Sequence, residues 1–193
     1  MSVLPIYTYG ARVLRQKAKA VSRADNRIVE LIVNMFETMR KASGIGLAAT
    51  QVGELDRIIV IDVSDVEEYE GVKPIALINP EIVSKDGHAV MEEGCLSIPD
   101  VRGHVDRPGE IKVRFRDVNF DLHEITAEGL LARVLQHEID HLNGVLFIDY
   151  LGDEEKKQVA EQLVSIEKGV MTVDYPVVTA DAEQTRRVAG LKE

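Results

Sequence analysis

Two histidines and a glutamate lie close together in the segment His137-Glu138-Ile139-Asp140-His141. On an α-helix, positions 137 and 141 lie about 40° apart around the axis and one turn apart along it, so both imidazoles can reach one ion. Glu138 lies beside them, where it can contact a metal-bound water. The segment falls in the most apolar helix that the sequence predicts, where unpaired His and Glu side chains would be costly to bury. The spacing therefore predicts a metal site.

A catalytic site of this type needs a third protein ligand and an open position for water. The longer motif H-E-x-x-H-x-x-G-x-x-H is not completed, because position 147 is Phe. The only thiol of the chain is Cys95, in Glu93-Gly-Cys-Leu-Ser97, although a lone cysteine is more often a small buried apolar residue. A downstream glutamate is the alternative third ligand, with three such residues available: Glu154, Glu155 and Glu161.

Three segments together resemble the peptide deformylase family. They are Gly44-Ile-Gly-Leu-Ala-Ala-Thr-Gln51, Glu93-Gly-Cys-Leu-Ser97 and Gln136-His-Glu-Ile-Asp-His141. Their order and separations are similar to those of the family, and the similarity spans about residues 3–168. One departure is Thr50, where many family members have proline. Gln51 beside it is retained, so the departure concerns the stiffness of the loop.

The resemblance implies removal of the formyl group from the initiator formyl-methionine of newly made polypeptides. Cys95, His137 and His141 would bind one divalent metal ion, whose bound water or hydroxide attacks the formyl carbon. The family suggests Fe(II) as the working ion, with zinc or nickel as possible replacements in purified material. Glu138 would be the general acid/base.

The resemblance also assigns residues to the oxyanion and to the substrate. Gln51 and the Leu96 N–H would donate to the developing oxyanion. The peptide would bind by strand addition, with Ile45, Gly46 and Gly94 as main-chain partners. The methionine pocket would include Leu130 and Val134, which precede His137 by seven and three residues on the same helix. A further hypothesis is an ion pair between Glu93 and Arg102.

Composition limits the other functions. The chain has 193 residues, enough for one domain, and a net charge of −10, which disfavours non-specific binding to nucleic acids or to anionic membranes. No apolar segment approaches the roughly 20 residues of a membrane span, and the start resembles no secretory signal. A cytoplasmic protein is expected. Its partners would be N-formylmethionyl nascent peptides, with the ribosome as a further candidate.

Periodicity predicts an α+β fold of mixed, mostly antiparallel strands around a central buried helix that carries HExxH, with a C-terminal helix. The predicted helices cover residues 26–42, 126–143 (with Thr126 as the N-terminal cap) and 153–168. Four strands are predicted over residues 57–63, 74–78, 111–116 and 122–125. Residues 1–168 are expected to form one catalytic domain, and 169–193 an extended or poorly ordered C-terminal extension.

Three other functions remain open at this point. An HExxH metallopeptidase would use a glutamate as third ligand and leave Cys95 structural. A non-enzymatic protein would hold a closed structural metal site. A cysteine hydrolase would use Cys95 with a histidine, but it leaves the paired-histidine helix unexplained.

Overall fold

The computed structural model describes residues 2–180 and 182. Its largest sheet is antiparallel and has five strands in the order β2-β3-β4-β7-β8. Their bounds are Gly46–Ala48 (β2), Ile58–Ile61 (β3), Ile75–Asp86 (β4), Glu110–Arg116 (β7) and Leu122–Glu128 (β8). Each neighbouring pair is antiparallel. β2 lies at one edge, which leaves one side of this short strand unpaired by the other described strands.

The described residues also form two smaller sheets. β5 (Ala89–Cys95) and β6 (Ile98–Arg107) form an antiparallel hairpin. β1 (Ile6–Tyr7) pairs in parallel with β9 (Val177–Val178), which brings the two ends of the described chain together. The hairpin was not predicted. Alternate residues of β6 are buried, but two of the buried positions are Gly103 and Arg107, which hide the apolar alternation.

In the part of the chain that the structure describes, three α-helices pack around these sheets: α1 (Asn26–Lys41), α2 (Gly129–His141) and α3 (Asp153–Glu167). Asp25 caps α1 by accepting from the Ile28 N–H at 3.1 Å, as favoured at helix N-termini. Most of α2 is buried, and it packs against β2, β3, β7 and β8. The predicted α+β architecture with a central HExxH helix and a C-terminal helix is confirmed.

The predicted start of the second helix was wrong. Thr126 does not cap α2, because it pairs with Lys112 inside β8. The strand continues to Glu128, and Gly129 then turns the chain with a φ of 56°, a backbone conformation that glycine adopts readily. The other two predicted helices agree with α1 and α3 to within one residue at each end.

The described part of the predicted C-terminal extension returns to the domain. After α3, the Ile6 N–H donates to the Pro176 carbonyl at 2.9 Å. β9 then forms its two pairs with β1. Residues 181 and 183–193, which the same prediction covers, lie outside the described residues. No helix in the described part of the chain is long and apolar enough to cross a membrane.

Candidate active site

α2 places His137 and His141 on one side, a helical turn apart. Their ring centroids are 5.0 Å apart, in an edge-on arrangement. Both residues are buried, with exposed fractions of 8% and 1%. Burying two imidazoles in an apolar helix is costly unless their nitrogen atoms find partners.

Cys95 reaches these histidines from the end of β5. Its Sγ lies 3.2 Å from His141 Nε2. One ligand atom from each of Cys95, His137 and His141 lies within 4.8 Å of the others. In the described part of the chain, this is the group of His, Cys, Asp and Glu side chains that could hold a metal ion. One thiolate and two imidazoles suit a zinc-type site with an open fourth position.

Glu93 holds His137 in place through a buried hydrogen-bond network. Its Oε2 accepts from His137 Nδ1 at 2.8 Å, and its Oε1 accepts from Arg107 Nε at 2.6 Å and Arg133 Nη1 at 2.7 Å. Arg107 also donates to Asp140 Oδ2 at 2.5 Å. Holding His137 through Nδ1 leaves Nε2 for a metal, the usual arrangement for a metal-binding histidine.

The predicted ion pair between Glu93 and Arg102 was wrong, because Glu93 pairs with Arg107 and Arg133. The two arginines of β6 lie on opposite faces, since they are five positions apart and side chains alternate along a strand. Arg107 is on the buried face and Arg102 on the exposed one. Arg102 lies over Gly94, and a Cβ at that position would collide with its guanidinium.

The charges around His137 favour a cation at this point. Burial alone would lower the pKa of His137, but hydrogen bonds to Cys95 and Glu93 raise it well above 6.5. Burial would likewise raise the pKa of Glu93, but His137 and Arg107 hold it well below 4.5. Burial lowers the pKa of His141 far below 6.5, so its imidazole stays neutral as a ligand must. A divalent ion would supply the positive charge that these groups favour.

Glu138 lies next to the cluster but does not belong to it. Among the described residues, its Oε2 is buried without a hydrogen-bond partner. Burial raises the pKa of Glu138 to about 7, a value suited to a group that accepts and returns protons near neutral pH. A Cβ on Gly46 would lie 2.6 Å from Glu138 Oε1 and 2.8 Å from Val134 Cγ1. A glycine is therefore required where β2 approaches α2.

The Gln51 amide faces Cys95 in a fixed orientation. Its Oε1 accepts from the Ala48 N–H at 2.8 Å, which directs Nε2 toward Ser97 Oγ at 3.2 Å and Cys95 Sγ at 3.6 Å. Leu96 lies in the turn that follows Cys95, between β5 and β6. The structure thus brings both predicted oxyanion donors beside Cys95.

A groove of about 830 Å³ opens over the cluster. All five predicted substrate-binding residues line it: Ile45, Gly46, Gly94, Leu130 and Val134. The Ile45 carbonyl accepts from the Asp62 N–H inside the sheet at 3.0 Å. Because successive residues of an antiparallel strand direct their main-chain groups to opposite sides, those of Gly46 face the open edge of β2.

Sequence reasoning missed several residues that support this site. Arg107 and Arg133 look like surface cations in the sequence, yet they are 4% and 5% exposed. Thr50 donates to the His141 carbonyl at 3.2 Å and ties the Gln51 loop to the end of α2. The spacing of Arg133, four residues before His137, was the available signal, since it places both on one face of a helix.

The alternative glutamate ligands lie elsewhere. Glu154 pairs with Lys157 at 2.8 Å, and Glu155 lies near His104 at 3.9 Å. Neither these residues nor Glu161 belong to the metal-competent group among the described residues. The structure therefore gives no support to a metal site with a glutamate as third ligand.

Comparisons with known proteins agree with this geometry. The family model described as "Polypeptide deformylase" matches residues 3–157. The peptide deformylase of Chlorobium luteolum is 50% identical over 175 residues, which cover 91% of this chain and 92% of that protein. A peptide deformylase structure from Legionella pneumophila has a TM-score of 0.78 at 36% identity and covers 99% of both chains.

A second similar structure was solved with a ligand. It is a peptide deformylase from Synechococcus elongatus in complex with actinonin, with a TM-score of 0.77 and 43% identity. The match covers 91% of this chain and 92% of that one. With a family model over most of its length and a relative at 50% identity, this chain belongs to the polypeptide deformylase family.

Proposed function

We propose that this chain is a metal-dependent amidohydrolase that removes the formyl group from the N-terminal formyl-methionine of newly made polypeptides. The observation that carries the proposal is the group of Cys95, His137 and His141 beside the unpartnered Glu138 carboxylate oxygen. Cys95, His137 and Glu138 line one groove. The reaction is inferred from the similar proteins, which are named peptide deformylases. It adds water to a formamide and yields formate and a free amino terminus.

The thiolate of Cys95 and the two imidazoles would hold the metal. When bound there, a divalent ion acts as a Lewis acid and lowers the pKa of a water ligand. The donor set fits zinc well. Our proposal for the working ion is Fe(II), as the family resemblance implies, and zinc or nickel could replace it in purified material.

Glu138 moves the proton. Its free carboxylate oxygen accepts a proton as a C–O bond forms between water and the formyl carbon. It returns that proton to the methionine nitrogen as the C–N bond breaks. A pKa near 7 allows both steps at neutral pH. Burial next to Gly46 keeps this carboxylate away from bulk water.

Gln51 and Leu96 stabilise the charge that develops on the formyl oxygen. Gln51 Nε2 and the Leu96 N–H are donors held beside Cys95 before the substrate arrives. A preorganised donor of this type contributes most when charge develops in the transition state. The hydrogen bond from the Ala48 N–H to Gln51 Oε1 fixes which end of the amide faces the reacting group.

The substrate binds as an extended strand. The open edge of β2 offers the main-chain groups of Gly46, with Ile45 beside it, and Gly94 of β5 also lines the groove as a main-chain partner. Pairing with main chain allows many different sequences to bind. Leu130 and Val134 form an apolar wall for the methionine side chain beside His137.

The proposed setting is the cytoplasm, where formyl-methionyl chains emerge from the ribosome. The one cysteine of the chain cannot form an internal disulfide, which fits a reducing compartment. Contact with the ribosome itself is a separate prediction, and co-sedimentation of the protein with ribosomes checks it.

An anaerobic assay tests the proposal. Formate release from a formyl-Met peptide is measured on a preparation of known metal content, with the matching acetyl-Met peptide as control. Hydrolysis of the formyl peptide alone, in proportion to bound metal, is expected. Cleavage of internal peptide bonds with no formate release would instead favour the metallopeptidase alternative.

The identity of the ion is tested on the same preparation. Oxygen can oxidise both ferrous iron and its thiolate ligand, so the iron-loaded enzyme is expected to lose activity in air faster than nickel-loaded enzyme. Equal rates of loss would remove the reason for proposing Fe(II).

A further inference from the structure

The segment Thr172–Tyr175, which follows α3, forms part of the wall of the groove. All four of its residues line the groove together with the ligand Cys95 and with Leu96. β9, which comes shortly after this segment, fixes its position because it pairs in parallel with β1. The family model ends at residue 157, before this segment begins.

Tyr175 contacts the turn that carries the site. Its hydroxyl donates to the Leu96 carbonyl at 2.8 Å, and its ring packs with Leu96 against the core that includes α1. Burial, with the negative charges of Cys95, Asp100 and Asp174, raises the pKa of Tyr175 to about 12. The hydroxyl therefore stays protonated and remains a donor throughout the neutral range.

Two consecutive carbonyls of this turn are held from outside the β5–β6 hairpin. The Leu96 carbonyl accepts from Tyr175, and the Ser97 carbonyl accepts from the Tyr9 N–H at 2.8 Å. Fixing these two peptide groups restricts rotation of the turn. The N–H of Leu96 belongs to the preceding peptide group, so its direction depends on the same restraint.

We propose that Tyr175 is a positioning residue for deformylation, which holds the Leu96 turn so that the Leu96 N–H is aimed at the formyl oxygen. This inference rests on the proposed function. It makes the C-terminal segment part of the active site and not a separate tail. Because small displacements of a catalytic group are costly in rate, loss of one hydroxyl outside the metal group should slow the chemical step.

The test is the Tyr175→Phe variant of the full chain, which removes the hydroxyl and keeps the ring. We expect kcat for a formyl-Met peptide to fall between about 10-fold and 100-fold, with KM changed less than threefold and metal content unchanged. Tyr7→Phe is the matched control, since Tyr7 is another half-buried tyrosine, located in β1. Its kcat should equal that of the unchanged protein.

Hydrogen exchange supplies a readout that does not depend on activity. Amides of residues 95–98 should exchange faster in Tyr175→Phe than in the unchanged protein, while those of α2 should not change. Unchanged kcat, or unchanged exchange in the turn, would overturn the proposal. A lower melting temperature with normal kcat would show a structural role only, and would overturn it as well.

The proposed function can be refuted independently of the role of Tyr175. If the unchanged protein releases no formate from the peptide while carrying its metal, deformylation is wrong whatever Tyr175 does. Exchange in residues 95–98 still decides whether Tyr175 holds the turn. Normal formate release with an unaffected Tyr175→Phe variant would refute the positioning role and leave the proposed function intact.

Discussion

Glu93 Oε2 lies 2.8 Å from His137 Nδ1, and both side chains are buried. This contact connects the metal ligand to a charged cluster, because the other oxygen of Glu93 accepts from Arg107 and Arg133. The two arginines compensate for burying the carboxylate, and the carboxylate fixes the tautomer of the imidazole. The interior of the domain and the metal site therefore depend on the same residue.

Replacing Glu93 by Gln is expected to weaken metal binding and to lower the stability of the domain. Metal affinity should fall about 10–100-fold, as for loss of other partners of metal-binding histidines. Two buried guanidinium groups would lose their shared anion, at a cost of about 3–5 kcal/mol in the free energy of unfolding. Metal titration and denaturant unfolding measure the two effects.

Glu92→Gln is the matched control for both measurements, because Glu92 is the neighbouring glutamate and is exposed. It should leave metal affinity and stability unchanged. If Glu93→Gln bound metal as tightly as the unchanged protein, the contact with His137 would be incidental.

The ligand residues and the main helices could be predicted from the sequence. Two histidines four residues apart must share a face of a helix, whatever the rest of the fold. The helical spacing of apolar residues in 26–42 likewise predicts α1 from local geometry alone. The third ligand is different, because Cys95 lies 42 positions before His137 and in the sequence only the family resemblance connects them.

The charged cluster around Glu93 could not be predicted in the same way. In the sequence, Arg107 and Arg133 are polar positions within otherwise apolar patterns. Apart from the helical spacing of Arg133 and His137, the sequence carries no local signal of their burial, because that burial depends on pairing with the distant Glu93 of β5. The same reason explains the missed hairpin, whose β6 alternation includes the buried Arg107.

Replacing Cys95 by Ala should abolish turnover and strongly reduce bound metal, because the charged ligand of the group is lost. Metal content by elemental analysis, with formate release on the same sample, measures this. Circular dichroism should show a folded protein, since the side chain removed is small. Full metal occupancy with normal activity would show that Cys95 is not a ligand.

Replacing Glu138 by Gln should separate catalysis from metal binding. The carboxamide has nearly the same shape but cannot accept and return a proton. The ion should remain, since Glu138 is outside the ligand group, while kcat falls about 10²–10⁴-fold. Parallel loss of metal and activity would mean that Glu138 is a ligand and that its role is misassigned.

Replacing Gln51 by Ala tests stabilisation of the transition state. If Nε2 donates to the developing oxyanion, kcat should fall about 10²–10³-fold, or about 2.7–4 kcal/mol in activation free energy. KM for a formyl-Met peptide and the metal content should change little. The variant also loses the acceptor for the Ala48 N–H, so some loss of stability is expected with it.

Thr50→Val separates these two effects of Gln51. It removes the hydrogen bond to the His141 carbonyl and loosens the same loop, but it leaves the Gln51 amide in place. Stability should fall by about 1 kcal/mol, while kcat stays within about threefold of the unchanged protein, because the donor remains. If Gln51→Ala showed the same pattern as Thr50→Val, with a lower melting temperature and an intact kcat, Gln51 would only order the loop and would have no part in the chemical step.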